Sequence, residues 1–348
     1  MKAVIDWQKA EIVCGRLMAA LTKGEYPYTH GQRPQELVPD SIKRDPRMHA
    51  NFFFYACHFM RGTVKSAFAI QQLIRMWESR PECFDPHSVA MWETTQPAES
   101  MFNKLLPYRS KQNAHHWREN SQRLCTHWQG DVRTLFQDVH GPSDLYVRVT
   151  NKFGRGPRPK SCPPHEMGFL GFQEKMANML AYFLMDARLV AEQHFVPPIN
   201  FHLLRVLLSN EVIILKNGNS GRYEELFPLG SAILERYMQK HGIPMTMMAD
   251  ALWLLSGTLC KKAIGNTSTG RLKGPRVGPV KNPGWVEVDW KKQKHVQRYE
   301  KSCGHCPINS SCRFNVSSGV YYETGRLEVR ERLKPPLLFD FLPFQQKP

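Results

Sequence analysis

Apolar and polar positions follow helical spacing along most of the chain. Residues three and four apart share one face of a helix, so this spacing predicts helices with one buried side. In the segment 172–186 the predicted buried face carries Met176, Met179, Leu180 and Phe183. Further helices are predicted over residues 48–77, 102–128 with a break at Pro107, 224–241 and 245–259, and after Pro198. The fold class is therefore mostly α.

The segment 48–77 supplies most of the predicted core. It is apolar and largely compatible with a helix. The core candidates in it are Phe52, Phe53, Phe54, Tyr55, Phe59, Met60 and Phe68.

Four parts of the chain depart from these helices. Residues 146–164 are rich in Gly, Pro, Lys and Arg, which predicts an irregular basic loop. Residues 320–329 predict a short β-hairpin about Thr324 and Gly325. The Pro-rich apolar tail at 333–344 is expected to pack on the body, and residues 1–48, with a helix-like stretch at 7–21, form an N-terminal extension.

Composition restricts the class of protein. A chain of 348 residues can bury one large core or two smaller ones. No segment approaches the roughly 18 consecutive apolar residues of a membrane span. The N-terminus is charged where a signal peptide is apolar. Five of the nine cysteines are scattered singly, which is not a disulfide framework, so a reducing, cytoplasmic compartment is expected.

The other four cysteines form the most specific pattern in the chain. Cys303, Cys306 and Cys312 follow a C-x2-C-x5-C spacing, and Cys260 closes a helix-like segment upstream. Four cysteine ligands on one cubane describe a [4Fe–4S] cluster. A structural zinc site more often uses two C-x2-C pairs, and this run contains one. Iron–sulfur is the favoured interpretation, with zinc and a chance grouping of cysteines as the alternatives.

Positive charge is concentrated between the first two of these cysteines. The chain carries a net charge of +16, which favours a polyanionic partner. Residues 261–302 hold eleven Lys or Arg against three acidic residues, so half of the excess lies in 42 residues. The same stretch is rich in Gly and Pro, which predicts a loop. A basic loop tied at both ends to metal ligands is suited to lie along the phosphates of a nucleic acid.

Three segments resemble, in order, the helix-hairpin-helix DNA glycosylases of the endonuclease III and adenine glycosylase kind. Residues 169–178 resemble the glycine hairpin and the helix that follows it. Residues 198–206 resemble the next helix start, and the cysteine run with its lead-in at 252–260 resembles the family's cluster loop. Residues 107–113 resemble the turn before the hairpin. The gap of 42 residues between the first two cysteines is much longer than the family's and reads as an insertion.

The resemblance implies a two-lobed helical glycosylase fold with an iron–sulfur loop and a small C-terminal hairpin. It divides the chain into an N-terminal helical extension at 1–48, a helix-hairpin-helix core at 49–259, a cluster loop with its basic insertion at 260–315, and a C-terminal hairpin and tail at 316–348. The implied function is DNA binding, chiefly to the double strand, with excision or recognition of a modified base by hydrolysis of its glycosidic bond. The implied cofactor is a [4Fe–4S] cluster.

Two positions depart from the family pattern. Gly171 occupies the first hairpin position, but Gln173 replaces the second glycine, where a side chain hinders close approach to phosphate. Asn200 stands where the family has a catalytic aspartate, and a neutral amide cannot accept a proton. Lys175 matches the nucleophilic lysine of bifunctional members. Asn200 as a helix cap and Lys175 as a solvated lysine are the simpler alternatives.

Further nucleic-acid contacts are expected outside the hairpin. Arg61 lies where the family has the residue that faces the base opposite the target. The basic insertion contributes Lys261, Lys262, Arg271, Lys273 and Arg276. Two other functions remain open, namely a catalytically inactive nucleic-acid-binding protein and an N-glycosidase that acts on RNA or on a modified nucleotide.

Overall fold

A computed structural model of the chain describes residues 2–29, 31–60, 66–106, 109–151, 167–216, 220–222, 226–260, 291, 293–312, 321–323 and 326–328. These residues are mostly helical. The helices are α1 (Trp7–Thr22), α2 (Asp40–Lys43), α3 (Pro46–Cys57), α4 (Ser66–Ser79), α5 (Pro86–Ala90), α6 (Gln96–Leu105), α7 (Ser110–Trp128), α8 (Pro142–Val149), α9 (Glu174–Asp186), α10 (Phe201–Ser209), α11 (Phe227–His241), α12 (Met245–Leu254) and α13 (Gln293–Glu300). The strands are β1 (Lys2–Ile5), β2 (Ile213–Lys216), β3 (Ser220–Arg222), β4 (Tyr321–Glu323) and β5 (Arg326–Glu328).

Most of the predicted helices are present. The prediction for 172–186 is confirmed by α9, and the predicted break separates α6 from α7. The helix-compatible pattern over 48–77 corresponds to two helices, because α3 ends at Cys57 and α4 begins at Ser66. The imidazole of His58 contributes to the termination of α3. Its Nδ1 donates to the carbonyl of Phe54 at 3.1 Å, in place of the backbone N–H of a further helical turn.

The chain divides into two compact units, and each is described by itself. The central unit comprises residues 32–198 and 244–246, and the terminal unit comprises 1–31, 199–243 and 247–348. This division differs from the four segments predicted from the sequence, because the N-terminal residues belong with the C-terminal part of the chain. No helix in the described ranges is both long and apolar enough to cross a bilayer.

The core of the central unit is built around α3. This helix is buried on all sides and therefore carries apolar residues around its whole circumference. Tyr55 stacks on Trp117 of α7 with ring centroids 4.2 Å apart, and Phe54 stacks on Phe172 at 5.2 Å. Such pairs add to the free energy gained from burial of the rings. The aromatic run in 48–77 thus forms the core as predicted, with one exception.

Phe68 is the exception among the predicted core residues. It lies on α4 and is 45% exposed, so its assignment to the core is wrong. The buried positions of α4 are Ala69, Ile70, Gln72, Leu73 and Met76, which lie on a different face. The helix-compatible pattern over 48–77 corresponds to two helices. The break before α4 changes the angular position of every residue after it.

The terminal unit begins with a strand rather than a free extension. β1 pairs antiparallel with β2, and Ile5 lies opposite Ile213. The carboxylate of Asp6 then accepts a hydrogen bond from the backbone N–H of Lys9 at 3.0 Å and caps α1. Further along, β4 and β5 pair antiparallel and confirm the hairpin predicted at 320–329.

Candidate functional site

The four predicted cysteine ligands all lie in the terminal unit. Cys260 ends a π-helical segment, Leu255–Cys260, that follows α12. Cys303 opens a 3-10 turn, and the N–H of Cys306 donates to the carbonyl of Cys303 at 3.0 Å. Cys312 follows a second such turn, and its N–H donates to the carbonyls of Ile308 and Asn309 at 3.2 Å. Two tight turns thus fold the C-x2-C-x5-C run back on itself.

The structure brings the four thiols together. Burial raises the pKa of Cys303, Cys306 and Cys312, the last to about 12, and the charge of the neighbouring cysteines raises these values further. Each pair of the four thiols is close enough for the charge of one to affect the pKa of the other. None of the eight cysteines in the described part of the chain forms a disulfide. The group is therefore a set of half-buried cysteines with the spacing and proximity of shared ligands.

The donor set fits a [4Fe–4S] cluster, which takes four cysteines. Among the described residues, no group of three or more His, Cys, Asp or Glu side chains is arranged to hold a metal ion. Thiolates around one zinc lie about 2.3 Å from it and hence about 4 Å from one another. Thiolates on a cubane each bind a different iron, so their sulfurs are spread over a larger span. Four cysteines that are too far apart to bind one metal ion are thus compatible with a cubane cluster.

A buried cation accompanies the thiols. Arg205 of α10 is 3% exposed, and burial lowers its pKa while the nearby Cys260 acts in the opposite direction. Burial raises the pKa of Cys260, and the positive charge of Arg205 offsets part of this rise. A buried guanidinium is costly unless negative charge is close. The sequence predicted the helix after Pro198 that carries Arg205 but no role for this residue; a cation within an otherwise apolar helix was the available signal.

Residues outside the cysteine run hold the 302–312 loop in the terminal unit. The hydroxyl of Ser311 donates to the side-chain carbonyl of Asn210 at 2.9 Å, directly after α10. The guanidinium of Arg16 on α1 donates to the hydroxyl of Ser310. The rings of Tyr26 and His305 meet edge to face at 5.7 Å. The N-terminal residues therefore support the cysteine loop, a role that nothing in their sequence indicated.

The hairpin that resembles the glycosylase motif lies in the central unit. Gly168 and Gly171 adopt φ values of +65° and +80°, in the left-handed region. A Cβ on Gly168 would lie 2.0 Å from the carbonyl oxygen of Thr150, so only glycine fits. The N–H of Phe172 donates to the carbonyl of Phe169 at 3.0 Å and closes the turn. α9 begins directly afterwards, with Gln173 as its N-cap residue.

Gln173 departs less from the family pattern than the sequence suggested. Its φ is −124°, in the extended region that any residue adopts, so the backbone conformation needs no glycine here. Its side chain is exposed and makes no capping hydrogen bond in the described structure. Only the bulk of the side chain distinguishes this position from a glycine.

Replacing Gly171 with alanine is expected to lower the free energy of unfolding by about 1–2 kcal/mol, because its φ of +80° strains any residue with a Cβ. Chemical denaturation followed by circular dichroism measures the effect. The control is Gly15→Ala in α1, where the added Cβ makes an ordinary 3.6 Å contact with the hydroxyl of Tyr237. That change is expected to be neutral or stabilising, as glycine disfavours a helix interior. Equal losses for both variants would contradict the strained turn.

The two predicted catalytic residues belong to different units. Lys175 lies in the first turn of α9 in the central unit and is half-buried. Asn200 lies in the terminal unit, where its side-chain oxygen accepts a hydrogen bond from the N–H of Leu203 at 3.0 Å. Asn200 is thus the N-cap of α10, as the simpler alternative held. A capping role does not prevent the outer face of the amide from meeting a substrate.

Three acidic residues, Glu174, Asp186 and Glu192, shortly precede Asn200 in the sequence. Asp186 pairs with Arg33 at 2.8 Å and accepts a second hydrogen bond from Gln35 at 3.0 Å. Glu174 and Glu192 are exposed. A general base of altered basicity usually sits in a partly desolvated site. Asp186 is partly buried but already paired, and the two glutamates are exposed, so the described structure singles out none of the three as a general base.

Several predicted contact residues lie outside the described ranges. These are Arg61, Lys261, Lys262, Arg271, Lys273 and Arg276. Their proposed contacts with nucleic acid remain predictions from the sequence.

Comparison with known proteins leaves the family open. No protein-family model, no curated protein and no solved structure matches this chain.

Proposed function

We propose that this chain is a [4Fe–4S] protein of the helix-hairpin-helix DNA glycosylase superfamily, which binds DNA and excises or recognises a modified base. The observation that carries the proposal is the convergence of Cys260, Cys303, Cys306 and Cys312 across a gap of 42 residues. The buried Arg205 beside them supports it, because a guanidinium offsets the negative charge of ligated thiolates. The glycine turn before α9 supplies the second motif of the resemblance.

The four cysteines would hold the cluster, and their set leaves no iron open to substrate. When bound, the cluster supplies a fixed link between the end of α12 and the 302–312 loop. The basic segment between them, with a net charge of +8, is thereby tied at both ends. Lys and Arg side chains on such a segment contact phosphates and release counterions. Its role is to bind the backbone of the nucleic acid.

Lys175 and Asn200 are the proposed catalytic residues. A neutral Lys175 amine would form a bond to the sugar C1′ as the bond from C1′ to the base breaks. The base then leaves with the bonding electrons and takes up a proton, while the amine loses one. Opening of the sugar ring would give an imine, which water hydrolyses to release Lys175 and leave an abasic site. Asn200 would orient the sugar or a water molecule by hydrogen bonds, since an amide cannot act as a base at neutral pH.

A catalytically inactive binding protein is the second candidate. Asn200 favours it, because its oxygen is already engaged as a helix cap and its amide carries no charge. An N-glycosidase acting on RNA or on a modified nucleotide is a third candidate. In that case Gln173 at the hairpin would replace close phosphate contact with side-chain contact.

An anaerobic preparation tests the proposal. It is expected to contain about four iron and four sulfide per chain, and to bind duplex DNA with an affinity that falls steeply with salt. If the basic segment and the hairpin neutralise about five phosphates, the logarithm of the affinity falls with that of salt at a slope of about −4.5. Duplexes with modified bases are then assayed for abasic sites.

The outcomes separate the three candidates. Abasic sites in a modified duplex support the glycosylase, and salt-sensitive binding without turnover supports the inactive binding protein. Preference for RNA or free nucleotides supports the third. Stoichiometric zinc in place of iron would overturn the cluster assignment.

A further inference from the structure

The side chain of Asn120, on α7, forms hydrogen bonds with both backbone groups of one residue in the glycine hairpin. Its Oδ1 accepts a hydrogen bond from the N–H of Leu170 at 2.7 Å, and its Nδ2 donates to the carbonyl of Leu170 at 3.0 Å. Leu170 directly precedes Gly171, the residue with φ of +80°. One side chain, 50 positions away in the sequence, thus satisfies both backbone groups at the apex of the turn.

A buried histidine fixes the orientation of the Asn120 amide. His58 Nδ1 lies 3.1 Å from the carbonyl of Phe54 and 3.3 Å from that of Tyr55, so this nitrogen carries the proton. His58 Nε2 is then an acceptor and receives the second N–H of the Asn120 amide at 2.8 Å. Both His58 and Asn120 are fully buried. Both N–H groups and the oxygen of the Asn120 amide are therefore hydrogen-bonded. A flipped amide would place its NH2 group against the N–H of Leu170, and its oxygen against the carbonyl of Leu170 and the Nε2 of His58.

A second side chain on the same face of α7 binds the start of the hairpin. The guanidinium of Arg123 donates to the carbonyl of Gly168 at 2.8 Å. Positions 120 and 123 are three apart and lie on one face of a helix. The hairpin is in turn joined to the end of α8, where the N–H of Asn151 donates to the carbonyl of Phe172 at 2.9 Å. The turn is thus held on both sides by groups with fixed positions.

We propose that Asn120, oriented by His58, is a positioning residue that presents the Gly171 turn to a nucleic-acid phosphate. The inference rests on the proposed function for the phosphate contact, whereas the clamp itself rests on the geometry alone. A turn that binds through backbone N–H groups gains affinity when its conformation is fixed before binding. Asn120 supplies that constraint without touching the ligand.

The test compares Asn120→Ala, His58→Phe and a matched control, Tyr55→Phe. The hydroxyl of Tyr55 bonds that of Ser121 at 2.6 Å, in the same interface between α3 and α7 but away from the hairpin. His58→Phe keeps an aromatic ring among Phe54, Trp117 and Phe172 while it removes the acceptor for Asn120.

Three quantities are measured on each full-length variant: thermal stability, hydrogen exchange over residues 168–172, and affinity for a 20-base-pair duplex as a function of salt. Asn120→Ala is expected to speed exchange in the hairpin and to weaken binding, each about tenfold, because it removes three hydrogen bonds, one buried and two partly buried. Its salt slope is expected to fall by about one unit, the loss of one phosphate contact. His58→Phe is expected to give smaller changes of the same sign. Tyr55→Phe is expected to lower stability alone.

Each remaining outcome decides a separate point. Unchanged hairpin exchange in both Asn120→Ala and His58→Phe would overturn the clamp. Faster exchange with unchanged affinity and salt slope would overturn its role in binding nucleic acid. Tyr55→Phe with the same loss of affinity as Asn120→Ala would reduce the effect to general destabilisation. A wild-type protein that binds no duplex would refute the proposed function, while the exchange rates would still decide the clamp.

Discussion

Replacing Cys306 with alanine is expected to lower the iron content from about four atoms per chain to nearly none. Cys306 lies within the field of Cys260, Cys303 and Cys312, so its loss leaves three thiols for a cluster that takes four. Ligand binding that accompanies folding contributes to the free energy of folding, so the terminal unit should also lose stability. Iron and sulfide analysis, visible absorption and thermal unfolding measure the three effects.

The control for this change is Cys125→Ala. Cys125 is half-buried on α7 in the central unit, and it is not among the four grouped thiols. Its replacement is expected to leave the iron content and the visible spectrum unchanged. Full iron content in the Cys306 variant would contradict the assignment of the four ligands, and loss of iron in both variants would point to general unfolding.

The grouping of three of the cysteines could be predicted from the sequence because it depends on short spacings. Cys303, Cys306 and Cys312 lie within ten residues, and two local turns suffice to bring them together. The helix cap at Asn200 is equally local, since it depends on the N–H of a residue three positions later. Helix periodicity likewise gave the extents of α7 and α9, where no break interrupts the pattern.

Other parts of the structure depend on residues far apart in the chain. Asn120 bonds Leu170 at a separation of 50 positions and His58 at a separation of 62, and neither contact involves a local motif. The pairing of β1 with β2 spans more than 200 positions, and the strands are only four residues each. The exposure of Phe68 followed from the break between α3 and α4, which the continuous apolar pattern concealed. Such features require the tertiary fold.

Gln173 shows the limit of transferring a family motif by residue type alone. The sequence suggested that loss of a glycine would disturb the hairpin. The backbone at this position has a φ of −124°, whereas Gly171 needs its φ of +80°. In this chain, position 171 therefore requires glycine for its backbone conformation, and position 173 does not.

Asn200→Asp is expected to raise base excision about a hundredfold while leaving the free energy of unfolding within about 0.5 kcal/mol of wild type. Aspartate and asparagine cap a helix about equally well, so the hydrogen bond from the N–H of Leu203 at 3.0 Å is retained. A carboxylate at the N-terminus of α10 is also favoured by the helix dipole. The added negative charge can stabilise the positive charge that develops on the sugar and can accept a proton from water. Abasic-site formation under single-turnover conditions measures the rate.

Asn200→Ala distinguishes the helix-capping role of Asn200 from its proposed role in base excision. It is expected to cost about 1 kcal/mol of stability through loss of the cap and to abolish any residual excision. If Asn200→Asp changes neither excision nor binding while both proteins remain folded, the inactive binding protein is the better description. If wild type excises and Asn200→Asp is no faster, the amide already orients the water that a carboxylate would otherwise activate. The direction of this one change therefore decides whether the chain has lost the glycosylase reaction or performs it through Lys175.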